Sequence, residues 1–421
     1  MRFALVSAGS IPNPDSSGAA LTNWTIAAYL LSRGHEVGAV VVHERDYADP
    51  RDRSAEDRLR ALRELGVEVR PIVAAPLAPR PLWRRSLHPS DAELFPNLAD
   101  SPGVRAAVEE FAPDAAFVYH WDGLAASRGL RGLVPRLGVA VDLPHLPSLY
   151  RFRHEPKRMD RQTLARLLLL QAVLRRQPAL AVRLLGECEA AGDFAAHHAD
   201  WLRRKGVPGC EYLRTPVPDP GPPGKTPDLR RILLIGHLRG TSTLDGLALF
   251  AREVLPRLPD DVEVRIAGGW APPAELAREL TRPNVTFLGH LARPDDEFRS
   301  AAALVVPTAV PLGARVRILS AFSFGCPVVA HVSNALGIPE LADGENALLG
   351  RAGAELAAAA VRLVESPELR ERIGAGGRSA FERWFAPPVA AGRIEERLVE
   401  LAAARPDSPP AVARPPIPAR P

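Results

Sequence analysis

Short apolar runs alternate with turn-bounded helical segments along this chain, and the alternation starts, stops and starts again. Residues 3–8 read as a buried strand, 20–32 as a helix stopped by Gly34, and 36–43 as a second strand. A strand, helix and strand in that order require a crossover and therefore parallel pairing, with the sheet covered on both faces. The pattern runs on through a charged helix at 55–65, a strand at 67–73 and a Pro-rich surface excursion at 74–103. A short helix follows, then strands at 115–120 and 137–142, the latter running into Leu143-Pro144-His145. A Leu- and Arg-rich helical region at 158–185 closes the first half.

The break is Thr215-Pro216-Val217-Pro218-Asp219-Pro220-Gly221-Pro222-Pro223-Gly224, whose turn-formers build no regular element. Beyond it come a strand at 231–235, a glycine-bearing loop at 236–240, a helix at 244–255 and a strand at 263–267 ending in Gly268-Gly269. Strands at 285–288, 303–306 and 328–330 and a last helix at 389–404 complete the series. The expectation is an α/β protein of two Rossmann-like domains, parallel sheets facing across a cleft. Residues 1–215 form the first domain, 216–229 the linker and 230–387 the second domain. A C-terminal helix at 388–404 has the first domain as a candidate packing partner, and 405–421 form a disordered Pro-rich tail.

Composition excludes other classes. A chain of 421 residues, 46% hydrophobic and 24% charged, supports two cores. Its net charge of +4 comes from arginines interspersed with Asp and Glu, which points away from nucleic acid. Three cysteines, Cys188, Cys210 and Cys326, carry no CxxC spacing, so neither a disulfide framework nor a zinc site is indicated and a reducing compartment fits. Residues 3–9, with only Arg2 ahead, are too short for a signal peptide. The most apolar region, 164–185, is interrupted by Arg166, Arg175, Arg176, Pro178 and Arg183, too often for a membrane span. Cytoplasmic location is the expectation. The same region has two readings, a helix lying on an anionic membrane surface or a core helix with a solvated face.

Open α/β sheets bind ligands at the carboxyl ends of their strands. Dinucleotide chemistry fails on its fingerprint: residues 8–20 contain Gly9 and Gly18 but no GxGxxG, and neither does Gly236-His237-Leu238-Arg239-Gly240. Arg315 and Arg317 stand in a loop entering a helix, where amide donors, the positive helix end and two guanidinium groups suit a diphosphate. Arg239, after the first strand of the second domain, points to the same phosphates. His120 ends a strand of the first domain; Asp142 and His145 end the next; Gly18 lets backbone approach a ligand closely. No DxD motif occurs, so no metal site is expected.

The second half resembles a known family. Ile235-Gly236-His237, Ile266-Ala267-Gly268-Gly269 and Val285-Thr286-Phe287-Leu288-Gly289-His290 come in that family's order. Val305-Val306-Pro307, the run from Gly313 through Arg315, Arg317 and Ser320 to Ala330, and Gly337-Ile338-Pro339-Glu340-Leu341 continue it. This series, across roughly 230–385, resembles the retaining glycosyltransferases of GT-B fold grouped as family four. The resemblance implies a sugar donor carried on a nucleoside diphosphate, held in the C-terminal domain around Gly236, Arg239, Gly313, Arg315, Arg317 and Ser320. It implies an alcohol-bearing acceptor (a sugar, lipid-linked glycan or metabolite) on the N-terminal domain, His120 beside the transferred sugar, and no permanently bound cofactor. Three departures stand out. Ser320 occupies the place of the family's ribose-binding Glu, with Leu312 at an earlier Glu position, and Asp245 stands nearest the place of a phosphate-loop Lys. Three readings follow: a working transferase, a glycosyltransferase-like binding or partner protein, and a same-fold enzyme with an unusual donor such as a sugar phosphate. Sugar, nucleoside, acceptor and oligomeric state are not legible.

Overall fold

A computed structural model describes residues 1–15, 17–43, 55–73, 102–143, 145–146, 149, 161–222 and 230–404. Residues 74–101 of the Pro-rich excursion, 223–229 of the linker and the Pro-rich tail lie outside them.

Two parallel sheets organise the chain. The first comprises β1 (Arg2–Ala8), β2 (Glu36–His43), β3 (Glu68–Val73), β4 (Ala115–Tyr119), β5 (Arg136–Ala140), β6 (Ala190–Asp193) and β7 (Glu211–Tyr212), in spatial order β3-β2-β1-β4-β5-β6-β7. The second comprises β8 (Arg231–Ile235), β9 (Glu263–Ala267), β10 (Val285–Gly289), β11 (Ala303–Val306), β12 (Val328–His331) and β13 (Leu348–Gly350), ordered β10-β9-β8-β11-β12-β13. In each, the first strand of the domain lies centrally and the order reverses beside it, so a crevice opens between β1 and β4 and between β8 and β11.

Strand periodicity builds a core on both faces of each sheet. On β1, Phe3 and Leu5 join a layer with Ile26, Leu30, Phe117 and Tyr119, while Ala4 and Val6 join another with Val118 and Trp121. On β11, Ala303 and Val305 face one core and Leu304 and Val306 the other. The final helix, Pro387–Ala403, sends Ile394, Leu398 and Ala402 into the Phe3–Ile26 layer, against the N-terminal sheet. These three recur every four residues along one helical face.

Several elements differ from the sequence expectation. β4 stops at Tyr119, because His120 takes a left-handed conformation (φ 65°) and starts a helix, His120–Ala126. β5 covers 136–140 in place of 137–142. β6, β7 and β13 were not anticipated, being four, two and three residues long, too short to show a period. The helix expected at 244–255 begins at Thr241 and passes into a wide turn, Phe250–Val254. The Leu- and Arg-rich region is one helix, Arg161–Gly186; Leu180, Ala181, Leu184 and Leu185 are core, while Leu164 and Leu168 are exposed. Among the described residues no helix is long and apolar enough to cross a membrane.

Candidate functional site

The carboxyl ends of β1, β8, β9 and β10 converge on a cleft of about 340 Å³ lined by both domains. From the N-terminal side come Ser10, Ile11 and Asp15 of the loop after β1, Gly18 and Leu21 of helix α1 (Gly18–Ser32), and Arg58 of helix α2 (Ala55–Leu65). Gly236, Trp270, His290, Val316, Arg317 and Ser320 line the C-terminal side.

Arg317 is the best-built group of this cleft. It sits one residue into helix Val316–Ser323, beside that helix's open amide donors. One guanidinium nitrogen donates to the Ile235 carbonyl at 2.6 Å and another to Thr243 Oγ1 at 3.2 Å. Burial lowers its pKa to about 10, which leaves it cationic at neutral pH. Its placement depends on Gly236, where any Cβ would press into the guanidinium. A fixed cation at a helix N-terminus is an arrangement suited to an anion.

Arg315 goes elsewhere. Its Nη2 donates to Val310 O at 2.9 Å and its Nη1 to Ser242 Oγ at 3.3 Å, and it is not among the residues lining the cleft. Burial, then the charge of Arg317, lowers its pKa to about 9 against the opposing pull of Asp142 and Asp245. Asp245 accepts the Ala309 amide at 3.3 Å, pinning the loop after β11 outside the cleft lining. Arg239 is exposed, donates to Ala271 O at 3.2 Å and likewise stands off the lining.

His120 lies between two carboxylates, with Nδ1 3.6 Å from Asp122 and Nε2 3.8 Å from Asp142. Burial alone would lower its pKa, but the Asp122 hydrogen bond and the charges of Asp142, Asp122 and Asp193 prevail and raise it. Asp142 is held close by Trp121, whose Nε1 donates to the Asp142 carbonyl at 2.6 Å. The group adjoins the loop after β1: a Cβ on Gly9 would lie 3.4 Å from Asp122 Oδ2, and the next residue, Ser10, lines the cleft.

Two of the remaining sequence candidates, Gly18 and Gly313, mark where the domains meet. A Cβ on Gly18 would fall 2.8 Å from Val316, so the missing side chain makes room for the opposite domain. One on Gly313, itself at φ 61°, would lie 2.8 Å from the Val141 carbonyl. His145 packs against Trp201 with ring centroids 5.2 Å apart and is off the cleft lining; burial, then His198, lowers its pKa. Further cross-domain ties are Ala196 N to Gly337 O at 3.2 Å and Glu340, which accepts Tyr212 Oη at 3.0 Å and Arg214 Nε at 2.7 Å.

Sequence reasoning missed Arg58 and the edge-on His237–Trp270 pair, whose centroids are 4.3 Å apart. A signal for Arg58 did exist, since it stands four residues before Leu62 on the apolar side of α2.

Residues 230–366 match the family described as Glycosyl transferases group 1. That match lies within the second sheet's half of the chain. The whole chain has the GT-B architecture, similar to sucrose-phosphate synthase from Thermosynechococcus elongatus (17% identity, TM-score 0.68, 96% of this chain and 99% of that one). Anabaena Alr3699/HepE, solved in complex with UDP-glucose, is similar at 15% identity and TM-score 0.67 over 95% of this chain and 100% of its own. S. aureus TarM gives 10% identity and TM-score 0.67, over 96% and 99%. No curated protein sequence matches this chain.

Proposed function

We propose that this protein transfers a sugar from a nucleoside diphosphate to an acceptor hydroxyl, with retention at the anomeric carbon, as a metal-independent glycosyltransferase of glycan, glycolipid or glycosylated-metabolite synthesis. Arg317, fixed at a helix N-terminus inside an interdomain cleft, is the observation that carries this reading. The bond from the anomeric carbon to the diphosphate breaks as that carbon bonds to the acceptor oxygen, and the acceptor proton leaves toward the departing diphosphate. Arg317 and the helix amides meet the charge growing on that leaving group. His120, behind the cleft lining and with its pKa raised by Asp122 and Asp142, offers an imidazole donor toward the transferred sugar.

Ser320 of the cleft lining favours a second reading, a glycosyltransferase-like binding protein without transfer, because a hydroxyl stands where the family resemblance implies a ribose-binding carboxylate. Thermal unfolding with millimolar UDP, GDP, ADP, CDP or TDP separates the two, since a ligand bound by the native state alone raises the midpoint. HepE's UDP-glucose complex makes UDP the first to try. A rise with one nucleotide, followed by sugar transfer from its UDP-glucose-type donor, supports the enzyme. A rise without transfer supports the binding protein, and no rise with any nucleotide overturns the nucleotide-donor site and leaves a protein that has lost donor chemistry or an enzyme with an unusual donor.

A further inference from the structure

Arg315 and His120 belong to different domains, and both face Asp142. The loop that enters helix Val316–Ser323 rests on the first domain. A Cβ on Gly313 would lie 2.8 Å from the Val141 carbonyl oxygen and 3.6 Å from Asp142 Cβ, and His197 Nε2 lies 3.2 Å from the Pro311 carbonyl oxygen. Arg315, two residues beyond Gly313, directs its terminal nitrogens to Val310 O and Ser242 Oγ, while its Nε is buried without a hydrogen-bond partner. Neither acceptor carries a charge. The compensation for a guanidinium taken out of water therefore comes through space, from Asp142 across the interface and Asp245 on its own side. Asp142 is also one of the two carboxylates beside His120, 3.8 Å from Nε2, with its backbone held by Trp121.

From this sharing we infer that Arg315 is a positioning residue for His120: seated on the first domain by its loop, it competes for Asp142 and so sets how firmly that carboxylate grips the imidazole. The inference rests on the reading of His120 as the group beside the transferred sugar. The charged groups facing His120 are Asp122 of its own helix, Asp142, and Asp193 of β6, whose carboxylate lies 3.6 Å from His198 Nδ1. Those facing Arg315 are Arg317, Asp142 and Asp245; His145 in turn faces Asp142 and His197 faces Arg315. Asp142 is the group common to both sets, so it is the link. Removing the Arg315 charge leaves the field of Asp142 at His120 unopposed, and the imidazole then keeps its proton to higher pH.

The test is an NMR titration of the histidine ring signals in the full chain without ligand, the His120 signal being assigned by its loss in His120→Gln. Arg315→Gln, which can still donate to Val310 O, should move the His120 titration upward by about 0.5–1 pH unit, the size expected of one charge acting at a distance. Arg315→Lys, which keeps the charge, should return it toward the wild-type value. In an Asp142→Asn background the Arg315→Gln change should move His120 by less than half as much, because the link is gone. If Arg315→Gln does not fold, Gly313→Ala takes its place: the added Cβ lifts the loop from Val141, and His120 should again titrate higher. A titration indifferent to these variants, or an Arg315→Gln shift as large in the Asp142→Asn background as outside it, would overturn the inference while leaving nucleotide binding intact. The expected shifts in a chain that binds no nucleoside diphosphate would instead uphold the link and overturn the nucleotide-donor reading alone.

Discussion

At the level of single residues, the cleft makes Arg317 and Ser320 separable by experiment. Arg317→Ala removes a buried cation and should weaken nucleotide binding by about 1.5–3 kcal/mol, the range for hydrogen bonds to charged groups, read by calorimetric titration. Ser320→Glu should tighten the same binding if ribose lies against this helix, whereas weaker binding would move the ribose elsewhere. His120 supplies the pH dependence. Its folded pKa is raised above 6.5, so the stabilisation from Asp122 and Asp142 is complete below that value and fades as pH rises through the raised one. His120→Gln should flatten the midpoint-versus-pH curve above 6.5, and an unchanged curve would assign the slope to another group. Arg317 was legible from a loop entering a helix. Arg315, two residues earlier, looked identical in sequence, yet Val310 O and Ser242 draw it off the lining, a turn of backbone that charge and spacing do not encode.

Among the elements, those with a long period were legible and those held by neighbours were not. β1, β2 and the helix between them announce themselves by apolar runs and by Gly34; β6, with the sequence Ala-Ala-Gly-Asp, has no β-branched residue and is a strand because β5 and β7 flank it. Helix α1 starts where Ser17 accepts the Ala20 amide at 3.2 Å, with Gly18 next. That glycine lines the cleft, where a missing side chain leaves backbone open to a ligand, and it also leaves room for Val316 of the opposite wall. Gly18→Leu should therefore prise the walls apart, costing about 1–3 kcal/mol of stability and weakening donor affinity together. Loss of affinity with an unchanged midpoint would point to a ligand contact at Gly18 instead.

For the whole molecule, the sequence pattern foretold two parallel sheets but not how they are tied, because ties such as Glu340 with Tyr212 and Arg214 join residues over a hundred positions apart. Ile394, fully buried beneath the N-terminal sheet although it lies late in the chain, offers a clear measurement. Ile394→Ala should lower stability by about 2–5 kcal/mol, and in a limited-proteolysis time course the N-terminal half should be cut first. Equal loosening of both halves would mean that they melt as one. The return of helix Pro387–Ala403 also governs birth order. While the ribosome is still translating the second domain, the first lacks one wall and keeps the Phe3–Ile26 layer partly open to water. The half made first is thus the half finished last, and a transcript cut short at codon 387 leaves the second domain with its core whole and the first without one of its walls.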